Sequence, residues 1–224
     1  MGHGRYIDPM RSFVADAPQD DRRADAPQED RRADAPQEDS VYSVQAGERL
    51  ELAFTVLPGE SRDVDLRVDL CGPGAEVRIR GLYLCGGQEQ VRIRTLVHHR
   101  VPGCHSTQLI KGIAGGRAQV SFDGLIVVAP DAQQTEAFQE NHNILLSETA
   151  KVETRPQLEI YADDVKCSHG ATVGRLNADE LFYMRSRGIP EKEARKLQML
   201  SFLSPVIPEG KDGEIERALA GLEK

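Results

Sequence analysis

Two side chains near the end of the sequence, Cys167 and His169, have the types and the spacing that could bind a metal. They stand two residues apart in the run VKCSHG (165–170). On a strand, residues i and i+2 face the same side, so the thiol and the imidazole would share a face with Val165. A thiolate beside an imidazole suits soft or borderline metals such as iron in a cluster. The alternative is that Cys167 is a core residue, because cysteine is among the most buried residue types.

Other groups of potential ligands are weaker candidates. The run HHRVPGCH (98–105) contains three histidines and a cysteine, but it lacks the ligand spacing of a tetrahedral site, and a polar turn at its centre explains it better. Asp163 and Asp164 are adjacent, so on a strand they would point to opposite faces and could not act jointly on one bond. Cys71 and Cys85 flank glycine turns without a nearby partner, and we assign them no role.

Short apolar or alternating runs follow one another from position 41 to about position 173. In VRIRGLYL (77–84), apolar residues alternate with arginines, which is the period of two expected for a half-buried strand. The last run, QLEIYADDVKCSHG (157–170), contains both candidate ligands. Glycine-rich turns separate the early runs, and no long run with helical periodicity intervenes, which argues against a doubly wound α/β sheet. The sequence therefore predicts a continuous all-β body, with a sandwich, a barrel and a β-solenoid left open.

The spacing of the later runs bears weakly on this choice. Apolar centres at Ile110, Ile126, Leu145 and Ile160 recur every 15 to 19 residues. That spacing is long for simple hairpins and would suit coils with two short strands each. In a solenoid, amide side chains can stack in the turns, and QENHN (139–143) could supply such an amide turn.

The end of the sequence has the pattern of helices. Asn177 followed by Glu180 is a possible capping box that opens a first helix, and Pro190 begins a second. Residues 213–222 can form a short third helix. Apolar stripes on such helices usually face a core. Because these helices follow a β body that can fold without them, a stripe that binds a partner protein is an equally good interpretation. The residues predicted for that face are Leu181, Phe182, Met184, Leu197 and Leu200.

Charge divides the chain unevenly. Residues 15–39 contain a nine-residue repeat in almost three copies, with nine acidic residues and four arginines, so they carry −5 of the net charge of −8. This stretch has no large apolar side chain to bury and a proline in every copy. The predicted organisation is a disordered acidic arm at 1–40, a β core at 41–174 and a helical region at 175–224.

Composition excludes several classes of function. There is no run of 18 apolar residues and no signal peptide in the first 14, so we expect a cytoplasmic protein without a membrane span. A pI of about 5.3 and 5% aromatic residues argue against a nucleic-acid partner. The four cysteines lie far apart without a CxxC pair, which in a reducing compartment predicts free thiols.

Several segments of the sequence carry a family resemblance. The run PQLEIYADDVKCSHGATVG (156–174), followed by ELFYMRSRGIP (180–190), resembles the C-terminal core of the SufB/SufD family in its SufD-type form. Upstream, HHRVPGCHSTQLIKGI (98–113), FDGLIVV (122–128) and the stretch from Gln133 to Ile160 fit the same pattern in order. The resemblance leaves the family's N-terminal region unmatched.

This resemblance implies a right-handed parallel β-helix followed by C-terminal helices that dock a SufC-type ATPase. It also implies pairing with a SufB-like subunit in a complex that assembles iron–sulfur clusters. His169 matches a SufD histidine at the SufB interface that is implicated in cluster assembly, whereas Cys167 stays between ligand and core residue. Any cofactor would be a transient cluster, or iron shared with SufB. The chain has no GxxxxGK[ST] loop, so we expect it to bind no ATP itself.

Three hypotheses therefore compete. The first is a non-enzymatic scaffold subunit of an iron–sulfur cluster assembly complex. The second is a truncated paralogue that is non-functional or only structural. The third, and weakest, is a β-helix enzyme acting on polysaccharide, which would need acidic pairs and aromatic platforms that this sequence largely lacks.

Overall fold

The computed structural model describes residues 30–33, 40–59 and 61–222, and it consists of two parallel β-sheets followed by three helices. The predicted acidic arm at 1–40 therefore lies outside the described residues, apart from the strand at 30–33 and Ser40, which begins the next strand. The first sheet contains, in spatial order, β1 (Asp30–Ala33), β3 (Arg49–Val56), β5 (Glu76–Cys85), β7 (His105–Ala114), β9 (Thr135–Leu145) and β11 (Val165–Gly174). The second contains β2 (Ser40–Val44), β4 (Arg62–Leu70), β6 (Gln90–His99), β8 (Gln119–Val128) and β10 (Lys151–Ile160).

Consecutive strands alternate between the two sheets, so the chain winds into a parallel β-solenoid of about five turns. Glu76 pairs with His105, which is 29 residues later, and Gln119 pairs with Lys151, which is 32 residues later. The spacing of 15 to 19 residues noted in the sequence is therefore half a coil, one strand with its turn. Most strands are about ten residues long, so the expectation of short strands was wrong.

The β core is built from the inward-facing residues of both sheets. In β6, for example, Val91, Ile93, Thr95 and Val97 are buried, while Arg92 and Arg94 in the alternate positions are exposed. This is the strict alternation that the sequence shows, and it fills the space between the sheets with aliphatic side chains. Burying each of these side chains contributes about 1.5–3 kcal/mol to the stability of the fold, relative to leaving it exposed to water.

Glycines allow the turns of neighbouring coils to stack closely. Gly87 and Gly116 both have left-handed backbone conformations, with φ of +54° and +59°. A Cβ atom on Gly116 would lie 2.7 Å from the backbone nitrogen of Gly87, so a larger residue would collide with the preceding coil. The glycine-rich turns predicted from the sequence thus have a physical cause.

The helices are α1 (Ala178–Ser186), α2 (Glu191–Leu203) and α3 (Asp212–Leu222), with a short 3₁₀ segment at Ser204–Val206. Helices α2 and α3 cover the outer face of the first sheet, where Met199, Leu203 and Leu219 pack against Leu82 and Ile113. Among the described residues, no helix is long and apolar enough to span a membrane.

Candidate functional site

The solenoid has an open end at its last two strands. Each sheet terminates there, the first at β11 and the second at β10, and no further strand among the described residues covers them. Their inward-facing side chains are consequently only partly buried: Leu158 and Val165 are half-buried, and Ile160 and Val173 are 40% and 44% exposed. We call the inner faces of β10 and β11 the open end.

Both candidate ligands lie on this open end. In β11, Cys167 pairs in register with Ala137, and His169 pairs with Gln139. Ala137 and Gln139 are fully buried on the inner face of β9, so Cys167 and His169 face the interior from the last strand. They lie about 6.6 Å apart along the strand, given a rise of about 3.3 Å per residue.

The surroundings of the two side chains differ. Cys167 is half-buried against an apolar cluster that includes Ile126 and Leu158. Burial raises the pKa of the Cys167 thiol, and a backbone hydrogen bond from Ala137 offsets part of this increase. His169 is exposed. Among the described residues, no three His, Cys, Asp or Glu side chains come together as a metal site, so these two would supply only part of a coordination sphere.

A polar network fixes the strand that carries both residues. Asn143 on β9 donates from its side-chain amide to the carbonyl oxygen of Thr172 on β11 at 3.0 Å. The hydroxyl of the buried Tyr83 donates to the Asn143 amide oxygen, and the same amide also donates to Asn141 at 2.8 Å. On the outer face, Lys166 forms an ion pair with Glu136 at 2.7 Å. These bonds hold β11 in register even though no strand in the described part of the chain pairs with its far edge.

The sequence did not reveal this network. The run QENHN was considered a possible amide turn, but residues 139–143 lie within β9, and Gln139, Asn141 and Asn143 point inwards. The run was assigned to a turn because amide side chains are rare in a protein core, and its strand periodicity was given less weight than its polar composition. The available signal was the spacing i, i+2, i+4, which places all three on one face of a strand.

The other candidate ligands are dispersed. His99 is fully buried at the end of β6, where its Nε2 atom lies 2.8 Å from the Ser106 hydroxyl, and burial lowers its pKa to about 3. His98 and His105 point outwards instead, towards Asp69 and Glu136 respectively. The run 98–105 thus spans the ends of two strands and the turn between them.

The remaining thiols and carboxylates form no site either. Cys104 is buried with its Sγ 3.3 Å from the carbonyl oxygen of Gly72, and burial of Cys85 raises its pKa to about 12. Asp163 and Asp164 were considered as strand residues, but they lie in the turn between β10 and β11. The run 157–170 is therefore interrupted by a turn and contributes to two strands.

The beginning of α1 is capped as the sequence predicts. The side-chain oxygen of Asn177 accepts hydrogen bonds from the backbone N–H groups of Asp179 and Glu180, at 2.9 and 3.3 Å. Glu180 reaches back to the side-chain amide of Asn177 at 3.3 Å. Gln198 of α2 donates both to the Asn177 carbonyl and to Glu180, at 3.0 Å each. The first two helices are therefore tied together just after β11.

The predicted partner-binding residues fall into two groups. Leu200 packs against the apolar cluster beneath α2, and Leu181 and Met184 are half-buried. Phe182 is 73% exposed and Leu197 is also exposed, and α1 has no fully buried residue.

A groove of about 900 Å³ lies between α1, α2 and the end of β9, and Leu176, Tyr183, Met184 and Phe202 are among its lining residues. The exposed Tyr183 was not singled out from the sequence. Tyr183 lies next to Phe182 and outside the expected apolar stripe, so the sequence pattern did not indicate that it lines a groove.

Comparison with known proteins gives a consistent result. Residues 39–202 match the family described as SUF system FeS cluster assembly, SufBD core domain. The iron–sulfur cluster assembly protein SufD of Escherichia coli (strain K12) is 44% identical over 133 residues, which are 59% of this chain and 31% of that protein. An iron–sulfur cluster assembly SufBD family protein of Mycobacterium leprae is 33% identical over 176 residues, covering 75% of this chain and 45% of that protein. SufD of Bacillus subtilis is 32% identical over 141 residues, covering 63% and 32%. The chain spans less than half the length of these relatives.

Proposed function

Since the chain belongs to the SufB/SufD family of iron–sulfur cluster assembly proteins and is of the SufD type, we propose that it acts as a scaffold subunit and not as an enzyme. In this role it would hold part of an iron–sulfur cluster while the cluster is assembled. The cluster, or its iron, is the cargo of the protein. The observation that carries the proposal is the position of Cys167 and His169 together on the inner face of the last strand, at the open end.

The chemistry of the two side chains supports a transient site. The exposed imidazole of His169 can bind iron through one ring nitrogen. The Cys167 thiol is protonated in the free protein, because burial raises its pKa, so binding metal would release its proton. The described residues supply no third ligand beside these two. A site that must lose a proton and has only two ligands would hold metal loosely, as a scaffold that passes its cargo on requires.

A SufB-like subunit is the proposed partner at the open end. The half-buried apolar side chains there gain from being covered. The edges of β10 and β11 that no described strand pairs with offer backbone hydrogen bonds to another strand. The partner would supply the remaining ligands. A shared site would thus form only when the two subunits are paired.

A SufC-type ATPase is the proposed partner of the first two helices. Its binding surface would be the exposed apolar side chains of α1 and α2 and the groove between them. ATP chemistry would belong to that partner, since this sequence contains no phosphate-binding loop.

The proposal is tested by replacing His169 with alanine. The chain would be co-expressed with a SufB and a SufC protein, and the purified complex analysed for subunit yield, iron and sulfide. We expect His169→Ala to keep the complex and to lose at least tenfold in bound iron and sulfide, because an exposed side chain contributes little to packing. His105→Ala, which removes a histidine from the outer face of the same sheet, is the matched control.

Two outcomes would count against the proposal. Normal iron and sulfide in His169→Ala would reduce the histidine to a surface residue without a role in assembly. Loss of the complex itself would show that His169 acts through packing at the subunit interface, which would leave the ligand assignment without support.

A further inference from the structure

The interior of the solenoid becomes polar along the chain. On the first sheet, the inward-facing residues of β3 are all apolar: Leu50, Leu52, Phe54 and Val56. Two coils later, β7 contributes Ser106 and Gln108, and β9 contributes Gln139, Asn141 and Asn143. The polar residues thus concentrate in the coils next to the open end.

Only part of this polar content is hydrogen-bonded within the protein. The side-chain amides of Asn141 and Asn143 form hydrogen bonds within the network that holds β11. Gln108 and Gln139 are 2% and 0% exposed, and among the described residues neither the oxygen nor the nitrogen of either amide has a hydrogen-bond partner. The hydroxyl of Thr95, which is 4% exposed, also has no partner in the part of the chain that the structure describes. We call Thr95, Gln108 and Gln139 the polar interior.

The strand register and one contact across the interior relate these three side chains. Gln108 and Gln139 are paired neighbours in the first sheet, on β7 and β9. In the facing sheet, Thr95 is paired with Gly124. A Cβ atom on Gly124 would lie 2.5 Å from the Nε2 atom of Gln139, so the Gln139 side chain reaches across the interior to the opposite backbone. The glycine makes room for the amide, and the amide ends beside Thr95's strand neighbour.

Five unbonded polar atoms in one part of a core are costly unless something binds them. Buried amides and hydroxyls without a protein partner are normally hydrogen-bonded to ordered water, which makes two to four bonds per molecule. Water fits the mixture of donors and acceptors here, since each amide supplies both and a hydroxyl can be either. An ion fits less well, because none of these side chains is charged.

We propose that the polar interior binds a row of ordered water molecules, and that this row links Gln139 to the imidazole of His169. Gln139 and His169 are paired neighbours on one face of β9 and β11, about 4.8 Å apart across the sheet. The Thr154 hydroxyl on the inner face of β10 is also buried, with no hydrogen-bond partner among the residues that the structure describes, and it continues the polar surface to the open end. Gln139 is then a positioning residue that orients the histidine ring through water.

The orientation of His169 by Gln139 matters for function only if His169 has the proposed role in cluster assembly, whereas the binding of water does not depend on that role. The experiments therefore use the protein alone, without iron or a partner. If the water row is absent while His169→Ala still loses iron in the complex, only this inference fails. If the row is present and His169→Ala retains its iron, only the proposed function fails.

The first measurement is nuclear magnetic resonance of the side-chain amide protons of glutamine. Protein labelled with ¹⁵N in glutamine alone would be prepared, and the Gln108 and Gln139 signals assigned from the variants Gln108→Met and Gln139→Met. Magnetisation transfer from long-lived water to both amides is the expected result. Gln157, which is exposed on the outer face of β10, provides the signal of an amide that meets only bulk water. No transfer to the buried amides would overturn the proposal.

The second measurement is thermal stability. Methionine matches glutamine in length and lack of branching but cannot hydrogen-bond to water in the same way. If water binds Gln139, Gln139→Met removes bonds from the row and should lower the unfolding midpoint by several degrees relative to Gln157→Met. If the amide is dry, the substitution removes an unsatisfied group, and an unchanged or higher midpoint would refute the water site.

The third measurement addresses the positioning of His169. The ¹⁵N chemical shifts of its ring report which nitrogen carries the proton. We expect Gln139→Met to change the ratio of the two tautomers, and Gln157→Met to leave it unchanged. Water contacts at Gln139 without any change at His169 would overturn the positioning role.

Discussion

The buried His99 should make the stability of the protein strongly dependent on pH below neutrality. Its ring is fully enclosed at the end of β6, and burial, with smaller contributions from His105 and His98, lowers its pKa to about 3. In the unfolded chain a histidine has a pKa of about 6.5. The unfolded state therefore binds a proton between pH 6.5 and 3 that the folded state does not bind, so the folded state loses stability as the pH falls through this range.

The size of the effect follows from this difference. Each pH unit below 6.5 costs about 1.4 kcal/mol until the folded-state pKa is reached. Between pH 7.5 and pH 5, His99 should therefore lower the free energy of unfolding by about 2 kcal/mol. With a urea dependence of about 2 kcal/mol per molar for a chain of this size, the unfolding midpoint should fall by about 1 M.

The assay compares urea unfolding at pH 7.5 and pH 5 for the wild type and His99→Gln. Glutamine can keep a hydrogen bond to the Ser106 hydroxyl, now made by the His99 ring at 2.8 Å, but it does not titrate. The variant should lose most of the midpoint shift. His98→Gln is the control, because burial also lowers the pKa of His98 but to a lesser extent. Equal midpoint shifts in wild type and His99→Gln would refute the reasoning.

Three further predictions follow from the geometry. Phe182→Ser should weaken the binding of a SufC-type ATPase at least tenfold, measured by calorimetry, while its circular dichroism spectrum stays unchanged. Val41→Ser, at an equally exposed position on β2, should not weaken binding. If Phe182→Ser binds the ATPase as tightly as the wild type, the docking site lies elsewhere. Gly112→Ala should destabilise the fold by about 1–3 kcal/mol in urea unfolding, because its Cβ would lie within 1.9 Å of the buried Tyr83 ring, and wild-type stability would contradict that packing. The Cys85 thiol, whose pKa is raised to about 12 by burial, should resist iodoacetamide at pH 8 until the protein is unfolded; rapid labelling of the native protein, read by mass spectrometry, would disprove its enclosure.

Single substitutions test the helical region better than its removal does. Helices α2 and α3 bury Leu82, Leu84 and Ile113 on the outer face of the first sheet. Deleting residues 178–222 would expose this apolar surface along with any docking site. Loss of ATPase binding in such a truncation could then reflect damage to the β core. Phe182 avoids this difficulty because it lies on the solvent side of α1.

The individual strands could be predicted from the sequence because their side chains alternate so regularly. The closure into a solenoid could not, since it depends on pairs such as Glu76 with His105, which no local pattern specifies. The same alternation fits a sandwich or a barrel. The spacing of the runs favoured a solenoid only weakly, and it was the family resemblance that distinguished among the three folds. The candidate ligands were found because their types are rare and their spacing is simple. Gln139 was misplaced because its environment is set by residues on other coils.

The site and the proposed interface coincide at the open end, and there is a physical reason for this. A solenoid must stop somewhere, and its last coil leaves inward-facing side chains without the next coil to cover them. Here those side chains include apolar residues such as Val173, which favour being covered, and the two candidate ligands, beside which the described residues supply no third donor. A partner that covers the apolar residues would also bring the missing ligands close to His169. Cluster binding and subunit pairing would then stabilise each other, so complex formation should be stronger with iron and sulfide present than without them.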